Sequence, residues 1–216
     1  MANRLALPPL YVILDAPLLP SDPFEFVKKL MGAGARLFQY RNKPAPAREL
    51  LRAAQALNAT ARQDGASLLL NDRADIARLA GTNGVHLGQD DLELAAARKI
   101  VGADALVGIS THSLEQFRSA AETDADYIAV GPIFETRSKA KPDPVVGLEL
   151  IRQARELTSK PIVAIGGVTL ERTADVIRAG ANSVAVISDI LAAKNPATRV
   201  KQYLEILPTA AQPAAN

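Results

Sequence analysis

Short apolar segments rich in β-branched residues recur along the chain. Eight of them have the length and composition of buried strands, at residues 11–14, 37–40, 67–70, 84–87, 106–109, 127–130, 162–165 and 183–187. Most are separated by stretches with the apolar spacing of an amphipathic helix, such as 24–31, 50–61, 114–121, 148–157 and 173–177. This alternation predicts the α/β class, and eight units favour a closed (βα)8 TIM barrel over an open doubly wound sheet.

Length and composition narrow the picture further. The 216 residues, 48% of them hydrophobic, predict a single barrel domain over 1–207 followed by a disordered tail at 208–216. The 25 basic and 23 acidic side chains form no long run of one charge, so neither nucleic acid nor a membrane is an expected partner. The absence of cysteine excludes disulfides and thiolate chemistry. With no signal peptide or membrane segment in the sequence, we expect a soluble cytoplasmic protein.

Polar residues follow the predicted strands at their carboxyl ends, where the active site of a parallel barrel lies. They include three cations, several carboxylates and several small hydrogen-bond donors. In chain order they are Gln39, Arg41 and Lys43; Asn71 and Asp72; His86, Gln89, Asp90 and Asp91; Ser110, Thr111 and His112; Gly131, Thr136, Ser138 and Lys139; Gly166 and Gly167; and Ser188.

Two interpretations stay open for most of these residues. The pairs Asn71-Asp72 and Asp90-Asp91 could cap the helices that follow, or could provide carboxylate ligands for Mg²⁺ at the ends of neighbouring strands. Arg41 and Lys43 could be surface charges or donors to a phosphate.

The Gly166-Gly167 pair could be a tight turn, or a backbone site for phosphate after strand seven. His86 and His112 lack partner histidines at metal-ligand spacing, so core or supporting roles are favoured over metal binding. Few side chains are suited to be a nucleophile or a general base. The residues at the strand ends, which form the rim of the barrel, therefore favour electrostatic chemistry on two phosphorylated substrates, with stabilisation of a leaving group.

Eight sequence motifs, in order, resemble those of the thiamine phosphate synthase family. They are QYRNK at 39–43, LNDR at 70–73, GVHLGQDD at 84–91, GISTH at 108–112, YIAVGPIF at 127–134, TRSK at 136–139, AIGG at 164–167 and AVIS at 185–188. The resemblance spans about residues 10 to 207. It implies a transferase that joins 4-amino-2-methyl-5-hydroxymethylpyrimidine diphosphate to 4-methyl-5-(2-phosphoethyl)thiazole, or its carboxylate. The products are thiamine phosphate and pyrophosphate, formed by dissociative, Mg²⁺-assisted departure of pyrophosphate.

The resemblance also implies roles for individual residues. Asp72 and Asp91 resemble the Mg²⁺ ligands, and the catalytic residues are expected to be Ser110, Lys139 and Arg41. Ser138 stands where the family usually has threonine, which retains the hydroxyl. The expected substrate contacts are Arg41, Lys43, Asn71 and Lys139 for pyrophosphate, Gln39 and Ser110 for the pyrimidine, and Thr136, Ser138, Gly167, Ile187 and Ser188 for the thiazole phosphate. The implied partners are the two small substrates, and a homo-oligomer stays open.

Three other functions remain as alternatives. A related thiazole tautomerase shares the barrel but generally lacks the motifs at 131–139. A phosphate-binding lyase or isomerase without metal would need a Schiff-base lysine or a carboxylate base, for which Lys43 or Asp72 could serve. A non-catalytic protein that binds thiamine precursors could use the same fold.

Overall fold

A computed structural model describes residues 7–136 and 143–210, with side chains to 207. Within these residues eight parallel strands pair in sequence order, and β8 pairs with β1 to close the barrel. The predicted α/β TIM barrel is therefore confirmed. The strands are β1 (Leu10–Asp15), β2 (Leu37–Arg41), β3 (Ser67–Asn71), β4 (Gly84–Leu87), β5 (Leu106–Thr111), β6 (Tyr127–Val130), β7 (Ile162–Ile165) and β8 (Ser183–Val186).

A helix follows each strand and covers the outside of the sheet. The first begins where a sequence signal is strongest, because the Asp22 side chain accepts hydrogen bonds from the backbone N–H groups of Phe24 and Glu25, and Pro23 supplies a helical φ. The helices are α1 (Pro23–Gly32), α2 (Ala47–Gln63), α3 (Ala74–Ala80), α4 (Leu94–Val101), α5 (Leu114–Ala121), α6 (Gly147–Leu157), α7 (Leu170–Arg178), α8 (Ser188–Leu191) and α9 (Pro196–Ala210).

Buried side chains form two separate cores. The outer core fills the space between sheet and helices and includes Val12, Leu14 and Tyr40 from the strands. The inner core fills the barrel itself, and its buried members are Tyr11, Ile13, Leu37, Leu69, Tyr127, Ala129, Val163 and Ala185. Alternate residues of a strand thus serve the two cores, as the period of a β-strand requires.

The last helix extends further than we predicted. We placed the end of the domain at 207, but α9 continues to Ala210, and the remaining tail residues 211–216 lie outside the described residues. That boundary rests on the lack of apolar periodicity after Leu207. The backbone of residues 208–210 nevertheless continues the last turn of α9, because the φ of a proline is close to the helical value.

The carboxyl ends of the eight strands all lie at one face of the barrel, where short loops lead into the helices. The exception is the loop from Gly131 to Val146, of which residues 137–142 are not described. In the part of the chain that is described, no helix is long and apolar enough to cross a membrane.

Candidate active site

Two carboxylates meet at the ends of β3 and β4. The side chains of Asp72 and Asp91 are within hydrogen-bonding reach of each other, and Lys43 Nζ lies 3.1 Å from Asp72 Oδ2. Burial and the neighbouring Asp91 raise the pKa of the Asp72 carboxyl, and Lys43 offsets this only in part. Asp72 also has a φ of 66°, which is uncommon for a residue with a side chain. Aspartate adopts this left-handed backbone conformation more readily than most residues with a side chain.

Helix capping does not explain these aspartates. The N-cap of α3 is Arg73 and that of α4 is Glu93, and neither side chain makes a capping hydrogen bond. Asp91 instead accepts from the backbone N–H of Gly88 at 2.6 Å, within its own loop. The capping interpretation that the sequence left open is therefore wrong for Asp72 and Asp91.

The cations after β2 lie beside this acidic pair. Arg41 Nη1 is 2.6 Å from Asp15 Oδ1, and Asp15 is buried at the end of β1, with 5% of its surface exposed. Lys43 is more than half exposed and contacts Asp72. Each cation thus has a carboxylate partner from a neighbouring strand. Asn71 is the last residue of β3, next to Asp72.

A cavity opens on the opposite side of the same face, between the ends of β5, β6, β7 and β8. Some of the residues that line this cavity were predicted from the sequence to bind substrate, and others were not. The lining residues are Ser110, His112, Gly131, Pro132, Thr136, Asp143, Ile165, Gly166, Val168, Ala185, Ile187 and Ser188.

The glycine pair after β7 forms a tight turn against the loop that follows β6. Gly166 and Gly167 have φ values of 93° and 62°. A Cβ on Gly167 would lie 2.4 Å from the carbonyl oxygen of Glu135, so only glycine fits this close approach. Arg172 donates to the Gly167 carbonyl at 2.9 Å and packs 4.5 Å from the centre of the Phe134 ring. The glycine that lines the cavity is Gly166, the neighbour of the predicted Gly167.

A chain of hydrogen bonds runs beneath the rim, inside the barrel. Gln39 Nε2 donates to the Tyr11 hydroxyl at 2.9 Å, and the Tyr11 and Tyr127 hydroxyls are 3.0 Å apart. His86 Nδ1 lies 2.8 Å from the Tyr127 hydroxyl, and His86 Nε2 lies 2.8 Å from Ser110 Oγ. The chain therefore connects the two residues that we expected to contact the pyrimidine, Gln39 and Ser110.

The two histidines have different surroundings. His86 is 6% exposed and its ring stacks on Tyr127 at 5.5 Å between centroids, which confirms the predicted core role. His112 lies at the mouth of the cavity, with Nδ1 on the carbonyl oxygen of Gly131 and Nε2 3.6 Å from Asp143.

The structure therefore gathers most of the expected residues on one face. Ser138 and Lys139 lie outside the described residues. The sequence analysis missed Asp15, Tyr11 and Tyr127. Asp15 could have been found from its place directly after the first apolar run, whereas the tyrosines start or lie within strands and gave no signal of a shared network.

The donor set for a metal is small. Within residues 7–136 and 143–207, no group of three or more histidine, aspartate and glutamate side chains is arranged to hold a metal ion. The acidic pair Asp72 and Asp91 is what the protein offers there.

Comparisons with known proteins agree on one family. Residues 10–190 match the family model described as thiamine monophosphate synthase. The chain is 50% identical to a thiamine-phosphate synthase of Koribacter versatilis over 96% of this chain and 99% of that protein. It is 45% identical to one of Anaeromyxobacter dehalogenans, over 90% and 85% of the two chains. Among solved structures, a thiamine phosphate pyrophosphorylase from Pyrococcus furiosus superposes with a TM-score of 0.85 at 32% identity, covering 94% and 96% of the two chains.

Proposed function

Because the chain belongs to the thiamine monophosphate synthase family, we propose that its strand-end face expels pyrophosphate from one substrate with the help of Mg²⁺ and joins the remaining pyrimidine to a thiazole phosphate. The protein is an enzyme of thiamine biosynthesis that forms thiamine phosphate. The observation that carries the proposal is the division of the face into an acidic, cation-flanked side and a cavity after β5 to β8, with Ser110 on the boundary.

The bonding changes balance without an acid or a base. The C–O bond between the pyrimidine methylene and the diphosphate breaks, and its electron pair leaves with pyrophosphate. The 4-amino group of the pyrimidine supplies electron density to the methylene carbon. The thiazole nitrogen then donates its lone pair to form the C–N bond. The step requires positioning and stabilisation of negative charge, which agrees with a face that offers few candidates for a general base.

The acidic pair fits a magnesium ion. Two carboxylates together with substrate phosphate oxygens are a usual ligand set for Mg²⁺, and Asp72 and Asp91 are in contact with each other while burial raises the pKa of Asp72. A cation between them would remove the repulsion that this geometry creates. When bound, Mg²⁺ supplies charge neutralisation for the departing diphosphate.

The cations beside the acidic pair would hold the diphosphate. Arg41 and Lys43 reach it by exchanging or sharing their present partners Asp15 and Asp72. Asn71 would donate an amide hydrogen bond. The sequence resemblance adds Lys139, so that Arg41, Lys139 and Ser110 are the residues we expect to act on the leaving group.

The remaining contacts orient the two ring systems. Gln39 and Ser110 would bind the pyrimidine, since they stand at the two ends of the buried hydrogen-bond chain. The thiazole phosphate would occupy the cavity, with Thr136, Ile187 and Ser188 in its wall and Gly167 in the turn beside it. Ser138 completes this set from the resemblance. We further propose that the enzyme works in the cytoplasm on these two small substrates.

Product formation tests the proposal directly. The purified protein is incubated with both phosphorylated precursors and Mg²⁺, and thiamine phosphate and pyrophosphate are quantified. Both should appear in equal amounts. Asp91→Asn should lose most of the activity, whereas Asp90→Asn, which changes the exposed neighbouring carboxylate, should retain it. The absence of product at saturating substrate would contradict the function, and equal activity of the two variants would contradict the metal assignment.

A further inference from the structure

The hydrogen-bond chain inside the barrel has five members and a definite start. The Gln39 amide is oriented with Nε2 towards the Tyr11 hydroxyl, and in this orientation it can only donate; Ser110 ends the chain at the cavity. Tyr11 and Tyr127 are each about 1% exposed or less, and His86 lies between them and Ser110. In a buried chain of this kind, the direction of one hydrogen bond determines the direction of the next.

Each tyrosine contributes a single hydrogen to the chain. Burial raises the pKa of Tyr11 to about 12 and that of Tyr127 well above its usual value, so both phenols keep their protons at neutral pH. A protonated hydroxyl donates once and accepts from the other side. The chain therefore has two possible directions, and the Tyr11 hydroxyl distinguishes between them.

In the forward direction every hydroxyl in the chain is satisfied. Gln39 donates to Tyr11, Tyr11 to Tyr127, and Tyr127 to Nδ1 of His86. In the reverse direction Tyr11 would receive hydrogen bonds from both Gln39 and Tyr127. Among the described residues these two are the hydrogen-bond partners of its hydroxyl, so its own hydrogen would be buried without an acceptor. Proteins avoid such groups, which selects the forward direction.

The forward direction determines the state of His86 and of Ser110. Because Nδ1 of His86 accepts, its hydrogen is on Nε2, and Nε2 donates to Ser110 Oγ. The Ser110 hydroxyl hydrogen is then left to donate to a group in the cavity. We infer that Tyr11, Tyr127 and His86 are positioning residues that make Ser110 a hydrogen-bond donor to the substrate, an inference that rests on the proposed function.

This orientation suits the chemistry proposed for the face. The oxygens of a diphosphate and the ring nitrogens of a pyrimidine are acceptors, and a hydroxyl that pointed its hydrogen at His86 would meet them with lone pairs. A donor aimed at developing negative charge is worth more than one that must reorient during the reaction. Gln39, at the other end, keeps a second amide hydrogen beyond the one given to Tyr11.

The tautomer of His86 can be measured without any substrate. The protein contains two histidines, so the ring nitrogens of a ¹⁵N-labelled sample give two spin systems, and a His112→Gln variant assigns them. At about pH 8, above the ordinary imidazole pKa of about 6.5, His86 should carry its hydrogen on Nε2. His112 should carry its hydrogen on Nδ1, because that atom faces a carbonyl oxygen. A hydrogen on Nδ1 of His86 would overturn the inference.

Kinetics of three tyrosine variants test the consequence for the reaction. Tyr127→Phe frees His86 to adopt the other tautomer, and kcat should fall by about ten- to a hundredfold, the range for one hydrogen bond to a charged group, with a smaller change in KM. Tyr11→Phe should have a smaller effect, because Tyr127 still donates to His86. Tyr40→Phe is the matched control: Tyr40 is a buried strand tyrosine of the outer core whose hydroxyl accepts from Asn42 Nδ2 at 3.1 Å, outside the buried chain. Its variant also loses one hydrogen bond, and its kcat should stay within about twofold of the original.

The outcomes separate this inference from the function on which it rests. If the unaltered protein forms no thiamine phosphate, the function fails while the tautomer is still decided by NMR. If product forms and Tyr127→Phe has the same kcat as Tyr40→Phe, the positioning role is wrong and the function stands. Should Tyr127→Phe not fold, the tautomer of His86 in the unaltered protein decides: a hydrogen on Nε2 supports the inference, and a hydrogen on Nδ1 overturns it.

Discussion

Adding a single methyl group at Gly108 should disrupt the inner core without removing any polar atom. Gly108 lies on β5 opposite Tyr127 of β6. A Cβ at this position would lie 2.0 Å from Cζ of the Tyr127 ring and 2.4 Å from both Cε2 and the hydroxyl oxygen. Ordinary contact between carbon atoms is about 3.5 Å. In Gly108→Ala the ring must therefore retreat by about 1.5 Å.

The free-energy cost follows from what the ring would leave behind. A shift of that size exceeds the tolerance of the hydrogen bonds that Tyr127 makes with His86 at 2.8 Å and with Tyr11 at 3.0 Å. Overpacking a core costs about 1–3 kcal/mol, and each buried partner left unsatisfied adds about 1–3 kcal/mol. With two such partners, we expect Gly108→Ala to lower the free energy of unfolding by about 3–9 kcal/mol, a large part of the stability of a typical domain.

Urea denaturation of Gly108→Ala and of Gly32→Ala measures the effect. Gly32 ends α1, and apart from its own turn of the helix no atom lies within 4 Å of where its Cβ would be, so its variant should stay within about 1 kcal/mol of the original. Both variants make the same chemical change on the same background. If Gly108→Ala were as stable as Gly32→Ala, the steric reasoning and the placement of Tyr127 against β5 would be refuted.

Three further predictions concern charged residues. Asp72→Asn should abolish most activity but stabilise the metal-free protein at pH 7. Because the pKa of Asp72 is raised in the folded protein, the gain of Asp72→Asn in unfolding free energy should vanish as the pH falls towards 4. A gain that stays constant over this pH range in EDTA would contradict repulsion between Asp72 and Asp91. Asp126→Ala removes the acceptor of Arg98 at 2.6 Å and of the Val107 N–H at 2.8 Å, so thermal and urea unfolding should show a loss of about 2–4 kcal/mol with kcat unchanged. Arg172→Ala should raise KM for the thiazole phosphate by about two- to fivefold at constant kcat, the equivalent of one exposed cation–π contact; an unaltered KM would show that this arginine does not support the glycine turn.

The barrel could be predicted because its signal is local. A strand buried on both faces appears as one continuous apolar run, and every run that we identified is a strand, with ends that differ by at most two residues. The helices α3, α4, α8 and α9 are not among the stretches named as helical from the sequence; α8 has only four residues, too few to define an apolar period. The strand ends also predicted which polar residues share one face, because parallel strands bring their carboxyl ends together.

Partners across the barrel could not be predicted from the sequence. Tyr11 and Tyr127 are far apart in sequence and meet only because closure of the sheet faces β1 towards β6 across the interior. The capping interpretation of Asp72 failed for a related reason. A cap is a local contact, whereas the partners of this aspartate, Lys43 and Asp91, come from the loops after β2 and β4.

Closure of the barrel by β1 and β8 also has a consequence for the growing chain. Leu10, Tyr11 and Val12 pair with residues 184–186, so the first strand of the barrel to be synthesised obtains its second neighbour last. Until β8 has been synthesised, one edge of β1 presents unpaired N–H and C=O groups and can pair with another chain. Such non-local pairing is also slow to form. The period between synthesis of β1 and of β8 is therefore the one in which this edge of β1 is open to pairing with another chain.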